Sequence, residues 1–408
     1  MSPSLLVQIF ASLGHGLMHL LAVYFYLVAL PLEREWQRPY SELITLWTAG
    51  SFLVGAVAIP AGWLADRWSA RGMMAISFLG LGVSAIGCGL ALGPGTLWLA
   101  LCALGIFAAI YHPVGLPLLV RTAGAAKGRA IGINGIFGSA GVAGAGAVAG
   151  ALIQLSGWRT AFIVPGIVCF GLGLAMVALI RAGRLPEDAP SAGHAVAERA
   201  GPERARLFRV LFLTMAAEAI VYQSIQAALP KMLSLRTGGS DATLGVGLLV
   251  GLVYGVAALS QIQAGHMADR FPLKSLYVGA FVLQVPVLWL MAWASGTSLV
   301  VLAILALIFN TGALPAENLL LSQSASRGRQ GVTFGAKFVM SFGATPAAIW
   351  LVSLLSGREG GFALLFVVLA GVAAAGTLAA LLVPGDAAAV RRAPAAEDAL
   401  SAGPVAGP

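Results

Sequence analysis

The stretch SLLVQIFASLGHGLMHLLAVYFYLVALPL, residues 4–32, contains no Asp, Glu, Lys or Arg. A helix of about 20 mostly apolar residues is long enough to cross the hydrocarbon core of a bilayer. His15 and His19 lie four residues apart within this stretch, and that spacing places both side chains on one helical face. The stretch therefore predicts a membrane-spanning helix that carries two imidazoles.

Eleven further runs of similar length and composition follow along the 408 residues. Hydrophobic residues make up 59% of the chain and charged residues 10%, whereas a soluble domain has about 25% charged residues. Helices are predicted because lipid offers backbone amides no hydrogen-bond partner and the runs are too long for barrel strands. We expect an all-α integral membrane protein with 12 transmembrane helices, at residues 5–30, 43–65, 72–92, 96–120, 129–154, 160–181, 207–229, 243–265, 274–295, 298–321, 332–356 and 361–383.

The net charge of +8 is explained by the uneven distribution of Lys and Arg across a membrane and does not indicate nucleic-acid binding. With the N-terminus placed in the cytoplasm, 17 of the 24 Lys and Arg residues fall on the cytoplasmic side and six on the other side. The positive-inside rule then puts both termini in the cytoplasm. The excess of Arg over Lys, with abundant Ala and Gly, suits a multi-pass protein of a bacterial inner (plasma) membrane.

A short motif occurs twice, as GWLADR at residues 62–67 and as GHMADR at residues 265–270, an offset of 203 residues. Both copies follow an even-numbered span and precede a basic turn. We expect two six-helix bundles, residues 1–181 and 207–383, joined by a polar cytoplasmic linker at 182–206. The Ala/Pro/Gly-rich tail, 384–408, is predicted to be disordered. The many glycines of the fifth span predict close packing against a neighbouring helix.

Twelve spans in a 6+6 repeat, a polar mid-chain loop and the segment GWLADRWSARG resemble the major facilitator superfamily. That segment matches the family motif G-x-x-x-D-R-x-x-x-R between the second and third helices. GWRTAF, residues 157–162, is similar to the family's turn into the sixth helix. A first helix with a mid-span histidine, together with Tyr111-His112-Pro113, resembles the fosmidomycin-resistance-like branch. The resemblance implies alternating access, with the first, fourth, seventh and tenth helices around a central cavity.

The cytoplasmic motif is the first candidate site. The resemblance implies a conformational latch that holds one state and breaks in the other. A glycine lets two helices approach closely, while a helix N-terminus and nearby arginines favour the carboxylate of Asp66. The alternative is topology alone, in which the arginines only keep the loop in the cytoplasm. The predicted latch residues are Gly62, Asp66, Arg67, Arg71, Arg121, Gly265, Asp269 and Arg270.

Strongly polar side chains within the spans form the second candidate site. A charge inside a span costs roughly 2.5–3.5 kcal/mol on insertion scales, so such residues generally face a cavity. The repeat offset of 203 maps His15 onto Glu218 and His19 onto Tyr222. Secondary transporters bind their substrates near the bilayer midplane at a repeat interface. The predicted substrate cavity comprises His15, His19, Tyr111, His112, Tyr222, Gln223, Gln226, Asn310, Asn318 and Lys337.

Glu218, Glu317 and His15 are the predicted proton-coupling residues. The two carboxyls either carry protons or form a structural ion pair with Lys337, which could instead bind an anionic group of the substrate. Each in-span histidine either handles protons or substrate, or is a hydrogen-bonded structural residue.

A metal ion is the main alternative for the histidines. His15 and His19 have ligand spacing, and His112 would complete three nitrogen donors. Transported metals generally leave further Met, Cys, Asp or His motifs, and the loops contain none. No resident metal and no cofactor are therefore predicted.

The sequence contains no phosphate-binding P-loop and no nucleophile motif, so it predicts neither ATP coupling nor an enzyme. We expect a monomeric secondary transporter whose partners are a small-molecule substrate, protons and the bilayer. Export of a small organic compound or drug is the first hypothesis, and its direction rests on the resemblance. The alternatives are a transition-metal or metal-chelate transporter that uses the histidines, and a non-transporting membrane scaffold or sensor. The in-span charges argue against the scaffold, which has no use for them.

Overall fold

The computed structural model describes residues 2–124, 127–185, 202–237, 243–324, 330–358 and 360–384, without the side chains of 127–128 and 330–335. The regular structure in these ranges is helical. Most of the predicted linker and the predicted tail beyond residue 384 lie outside the described residues, so the domain division stays a prediction. The helices are α1 (Pro3–Glu35), α2 (Tyr40–Leu43), α3 (Leu46–Arg67), α4 (Ala70–Gly89), α5 (Pro94–Ala108), α6 (Tyr111–Thr122), α7 (Lys127–Ser156), α8 (Trp158–Arg181), α9 (Pro202–Arg236), α10 (Thr243–Arg270), α11 (Leu273–Met291), α12 (Gly296–Gly312), α13 (Leu314–Ser324), α14 (Gln330–Ser356) and α15 (Gly361–Ala380).

Within the described ranges, 11 helical segments are long and apolar enough to cross a membrane. They correspond to eleven of the predicted spans, and they confirm an all-helical, multi-pass membrane protein. The segment that corresponds to the seventh predicted span, α9, is a continuous helix of 35 residues but is not among the eleven. Its first turns carry Arg204, Arg206 and Arg209. The count of twelve spans and the cytoplasmic termini stay predictions.

Two of the predicted spans are each divided into two helices, α5–α6 and α12–α13. Pro113 and Pro315 lie just after the two breaks. Proline has no N–H to give to the carbonyl four residues earlier, and its ring clashes with that carbonyl. The helices after the breaks begin at Tyr111 and Leu314, which are separated by the repeat offset of 203 residues. The internal repeat is therefore found in the positions of the helix breaks as well as in the sequence motif.

Helices pack in the same pattern in the two halves of the chain. In the first half α1 packs against α7, α3 against α5 and α4 against α8. In the second half α9 packs against α14, α10 against α12 and α11 against α15. The halves meet where α7 packs along α10 and α3 along α14.

Glycines allow the closest of these helix approaches. A Cβ on Gly146 of α7 would lie 2.4 Å from the carbonyl oxygen of Gly247 on α10, and one on Gly141 would lie 2.2 Å from that of Gly16 on α1. Real Cβ atoms do not approach other atoms this closely. The glycine-rich span predicted to pack closely therefore contacts a neighbour on two sides.

The two ends of the bundle differ. At the end that carries the α1–α2 turn, Lys231 forms an ion pair with Glu33. There the Tyr40 hydroxyl lies 2.7 Å from the carbonyl oxygen of Ala227 and 3.0 Å from that of Tyr26. Toward the opposite end, residues of α3, α6, α9 and α14 line a cavity of about 1170 Å³. We call these the sealed end and the cavity end; on the predicted topology the cavity end is cytoplasmic.

Candidate functional site

The cavity lies between two helices of each half and is lined mainly by apolar side chains. The ionisable groups of its described lining are Asp66, near its mouth at the end of α3, and His112, at the start of α6. Of the ten predicted cavity residues, the described lining includes His112. Its large apolar lining residues are Val54, Ile59, Leu116, Phe212, Ile220, Phe338, Val339, Met340 and Phe342.

Three histidines lie together beside this cavity, and we call His15, His19 and His112 the histidine cluster. The ring centroids of His15 and His19 are 4.9 Å apart, and His112 lies 5.3 Å from the first and 5.4 Å from the second. Ring nitrogens of all three lie within 4.8 Å of one another. Helical spacing brings the first two together, whereas the third arrives from the opening turn of α6.

Residues of α7 and α6 orient this cluster. His15 Nδ1 lies 2.8 Å from the backbone carbonyl oxygen of Asn134. Because a carbonyl only accepts, Nδ1 carries a proton, and in the neutral ring Nε2 then keeps its lone pair. The Asn134 amide donates to the Tyr111 hydroxyl at 2.7 Å, and the Tyr111 ring stacks on His15. His112 Nε2 is buried and has no hydrogen-bond partner among the described residues.

A second polar cluster lies in the other half and contains both predicted in-span carboxyls. Glu317 is 2% exposed; its Oε1 lies 2.7 Å from Lys337 Nζ and its Oε2 lies 3.1 Å from the Tyr277 hydroxyl. Lys337 also donates to Asn318 Oδ1 at 2.6 Å. We call Glu218, Glu317 and Lys337 the carboxyl cluster.

Glu218 is the third member of this cluster, and its Oε1 lacks the kind of partner that Lys337 and Tyr277 provide for Glu317. It is 5% exposed, lies within electrostatic range of Glu317 and Lys337, and has a buried Oε1 without a hydrogen-bond partner among the described residues. Its backbone carbonyl accepts a hydrogen bond of 3.2 Å from the side chain of Asn310. Glu218 lies midway along α9 between two cavity-lining residues four positions apart, 216 and 220, so its side chain points away from the cavity.

The other predicted cavity residues of α9 hold helices together in this conformation. The Tyr222 ring packs edge-on against Tyr254 of α10, with centroids 6.0 Å apart. Gln223 donates to the carbonyl oxygen of Ser341 on α14 at 3.3 Å, and Gln226 is buried. Their assignment to substrate binding stays a prediction.

The predicted latch residues lie near the cavity end. A Cβ on Gly62 would lie 3.2 Å from Pro113 Cβ, so α3 and α6 approach closely there. Asp66 is exposed and forms no ion pair with a described residue. The Arg67 guanidinium lies 4.2 Å from the Trp63 ring centroid, and Arg71 donates to the backbone carbonyl of residue 185. The latch itself stays a prediction; its remaining residues, Arg121, Gly265, Asp269 and Arg270, lie toward the ends of α6 and α10.

Sequence inspection missed several of these contacts. Asn134 stands out in the sequence as a polar residue in a glycine-rich span, but no sequence pattern predicts its contact with His15. Tyr277 gave no signal for its contact with Glu317, since an aromatic residue in a span is ordinary. Phe338 and Phe342, which pack on the His112 ring at 5.0 and 5.1 Å, were equally inconspicuous.

An all-helical membrane bundle with repeated packing in its two halves and a cavity between them is the architecture of a membrane transporter. The chain belongs to the Major Facilitator Superfamily, whose family profile matches residues 13–336.

Solved transporter structures share this fold. A POT family transporter in complex with a thioalcohol conjugated peptide aligns with a TM-score of 0.76 at 12% identity, over 92% of this chain and 95% of that one. A bacterial homolog of the human lysosomal transporter Spinster, in an inward-facing and unoccupied conformation, aligns with a TM-score of 0.72 at 15% identity, over 93% and 95%. At these identities the likeness shows the fold alone.

Curated relatives match over shorter stretches. The chain is 33% identical to the puromycin resistance protein pur8 of Streptomyces alboniger over 144 residues, which are 35% of this chain and 27% of that protein. It is 32% identical to a multidrug resistance protein B homolog of Mycobacterium tuberculosis over 158 residues, 37% and 28% of the two chains. The chain thus spans about a quarter of the length of the curated relatives it matches.

Proposed function

We propose that this protein is a secondary transporter that exports a small, mainly apolar organic compound in exchange for protons across a bacterial inner membrane. The observation that carries the proposal is the carboxyl cluster, which buries two carboxyls and one ammonium in the second half of the bundle. Membership of the Major Facilitator Superfamily supports transport. The names of the two relatives, which concern resistance to puromycin and to multiple drugs, support export.

The carboxyl cluster is suited to exchanging protons. Glu317 and Lys337 neutralise each other at 2.7 Å, whereas an ionised Glu218 would hold a buried charge with an unpartnered oxygen. A buried charge is costly unless it is paired and hydrogen-bonded. The cluster therefore has one carboxyl more than its ammonium can neutralise, and protonation relieves that excess.

Protonation of this cluster is coupled to the cavity through shared helices. Glu218 lies on α9 and Lys337 on α14, and both helices also form part of the cavity wall. A proton that releases Glu317 from Lys337 would free α13 to shift against α14. His15, the third predicted proton-coupling residue, lies in the other half, and its proton role stays a prediction.

The cavity supports the substrate class. Its aromatic and aliphatic lining favours an apolar solute, and Asp66 at the mouth would attract a cationic one. In alternating access, the solute would leave after the cavity end closes and the contacts of the sealed end break. The finer assignment to the fosmidomycin-resistance-like branch is part of the same proposal.

An antiport assay in proteoliposomes tests the proposal, with puromycin as the probe solute and a pH-sensitive dye in the lumen. A puromycin gradient should move protons in the wild-type protein. Glu317→Gln and Glu218→Gln should reduce that proton movement to the level of protein-free liposomes, because a glutamine cannot carry a proton. Glu42→Gln is the matched control, since its carboxylate is exposed and pairs only along the surface with Arg38.

Two results would contradict the proposal. If both glutamine variants of the carboxyl cluster exchange puromycin for protons as the wild type does, these carboxyls are not the coupling sites. If a puromycin gradient moves no protons in the wild-type protein and the protein does not protect a host cell from puromycin, the proposed proton-coupled export of such compounds is wrong.

A further inference from the structure

We propose that the histidine cluster, His15, His19 and His112, binds one divalent transition-metal ion, with Zn²⁺ as the reference ion. The proposal goes beyond proton-coupled export, because it requires neither the carboxyl cluster nor any exchange of protons. It rests on three features of the described residues: the donor set, the hydrogen bonding of the rings, and the space around them.

The donor set matches the ligand preferences of borderline metals. Imidazole nitrogens suit zinc, copper, nickel and cobalt, whereas calcium and magnesium prefer oxygen. The three donor nitrogens lie within 4.8 Å of one another, and among the described residues no carboxylate or thiolate belongs to this group. Nitrogens bound to one tetrahedral zinc lie about 3.4 Å apart, given Zn–N bonds of about 2.0–2.1 Å. Small rotations of the rings would therefore suffice to close the site.

Hydrogen bonding leaves the required lone pairs available. A metal-bound histidine normally donates its other ring N–H to a carbonyl or carboxylate, which fixes the tautomer. His15 makes this contact with the Asn134 carbonyl at 2.8 Å, so its Nε2 is the free donor atom. The buried Nε2 of His112 has no protein partner among the described residues, and a metal ion would satisfy it.

The residues around the histidine cluster leave space for the His15 ring on one side and cover the His112 ring on the other. The His15 ring rests on Gly138 of α7, where a Cβ would lie 2.4 Å from its Cε1 atom. Phe338 and Phe342 of the opposite half cover the His112 ring. Because His112 also lines the cavity, the fourth coordination position of the metal would face it, and water or a donor atom of the solute would fill that position.

Metal titration of the purified full chain tests the site. The protein is purified without a polyhistidine tag, stripped with a chelator, and titrated with Zn²⁺ by calorimetry and with Co²⁺ by visible absorption. We expect one equivalent to bind, with a cobalt spectrum of tetrahedral type. His15→Ala, His19→Ala and His112→Ala should each weaken binding by about tenfold or more. His266→Ala is the matched control, because that histidine is exposed on α10, far along the chain from the cluster.

A second pair of variants tests the geometry without removing a ligand. Gly138→Ala should displace the His15 ring and weaken Zn²⁺ binding, whereas Gly144→Ala, on the same helix with no atom within 4 Å of its Cβ position, should not. X-ray absorption of the zinc-loaded wild-type protein should count at least two imidazole ligands, and this measurement does not depend on the folding of any variant.

Three results would overturn the site. They are no saturable Zn²⁺ binding in the wild type, unchanged Zn²⁺ binding in each of the three single alanine variants, or an X-ray absorption spectrum of the zinc-loaded protein without imidazole ligands. Loss of binding in His266→Ala to the same extent would likewise move the site elsewhere. None of these results bears on the puromycin exchange assay, so failure of the metal site and failure of the transport proposal are distinguishable.

Discussion

At the scale of single residues, Lys337 and Glu317 form the most deeply buried ion pair among the described residues. Removing one partner of a buried pair leaves an uncompensated charge, which costs about 3–5 kcal/mol. Lys337→Met should therefore lower the free energy of unfolding by that amount, while Lys337→Met combined with Glu317→Gln should recover most of the loss. Thermal unfolding in detergent measures both variants.

The control for this pair lies at the sealed end. Lys231 and Glu33 are more exposed, with 18% and 27% of their side chains accessible, so solvent screens their attraction and Lys231→Met should cost only about 0–1 kcal/mol. Equal melting temperatures for the single Lys337→Met variant and the double variant would mean that Glu317 is not left as a buried charge.

At the scale of elements, α7 joins the two halves by packing along α10. Gly146 faces the backbone of α10, where a Cβ would meet a carbonyl oxygen at 2.4 Å, and Gly144 faces open space. Backbone cannot move aside as a flexible side chain can, so Gly146→Ala should push the two helices apart and cost about 1–3 kcal/mol. Gly144→Ala should be neutral or slightly stabilising, since alanine favours a helix.

Thermal unfolding and puromycin exchange, measured on both glycine variants, check this expectation. The Gly146→Ala variant should have a lower melting temperature and slower puromycin exchange than the Gly144→Ala variant. Indistinguishable behaviour of the two variants would show that the contact between α7 and α10 does not limit either stability or turnover.

At the scale of the whole molecule, the balance between two conformations depends on the contacts of the sealed end. Tyr40 links the halves through its hydroxyl, which lies 2.7 Å from the carbonyl oxygen of Ala227. A hydrogen bond contributes about 0.5–1.5 kcal/mol net, so Tyr40→Phe should shift the populations roughly two- to twelvefold toward a state that is open at this end.

Spin-label distances between the exposed positions Gln37 and Leu235, on the two halves, measure that shift. Tyr24→Phe is the control, because the Tyr24 hydroxyl is buried without a hydrogen-bond partner among the described residues. Identical distance distributions for Tyr40→Phe and the wild type would exclude this hydroxyl as a determinant of the conformational balance.

The sequence by itself determined the properties that can be judged within one segment. Length and apolarity identify the spans one at a time, because each must satisfy its own backbone in lipid. Eleven of the twelve predicted spans correspond to helical segments that meet those criteria. The repeated motif located the second half, and the cost of a polar group in a span pointed to the histidines, the carboxyls and Lys337. Pro113 and Pro315 carried the information for the two helix breaks, although their effect on an otherwise apolar run is visible only in the fold.

Only the tertiary structure decided which of these polar groups meet and which way they face. Asn134 contacts His15 across 119 positions of sequence, and Tyr277 contacts Glu317 across 40. The repeat predicted matching depths for His15 and Glu218, yet one lies beside the cavity and the other points into its own half. Depth follows from the position of a residue along its span. Facing depends on the rotation of each helix about its axis, and that rotation is set by packing against helices distant in sequence.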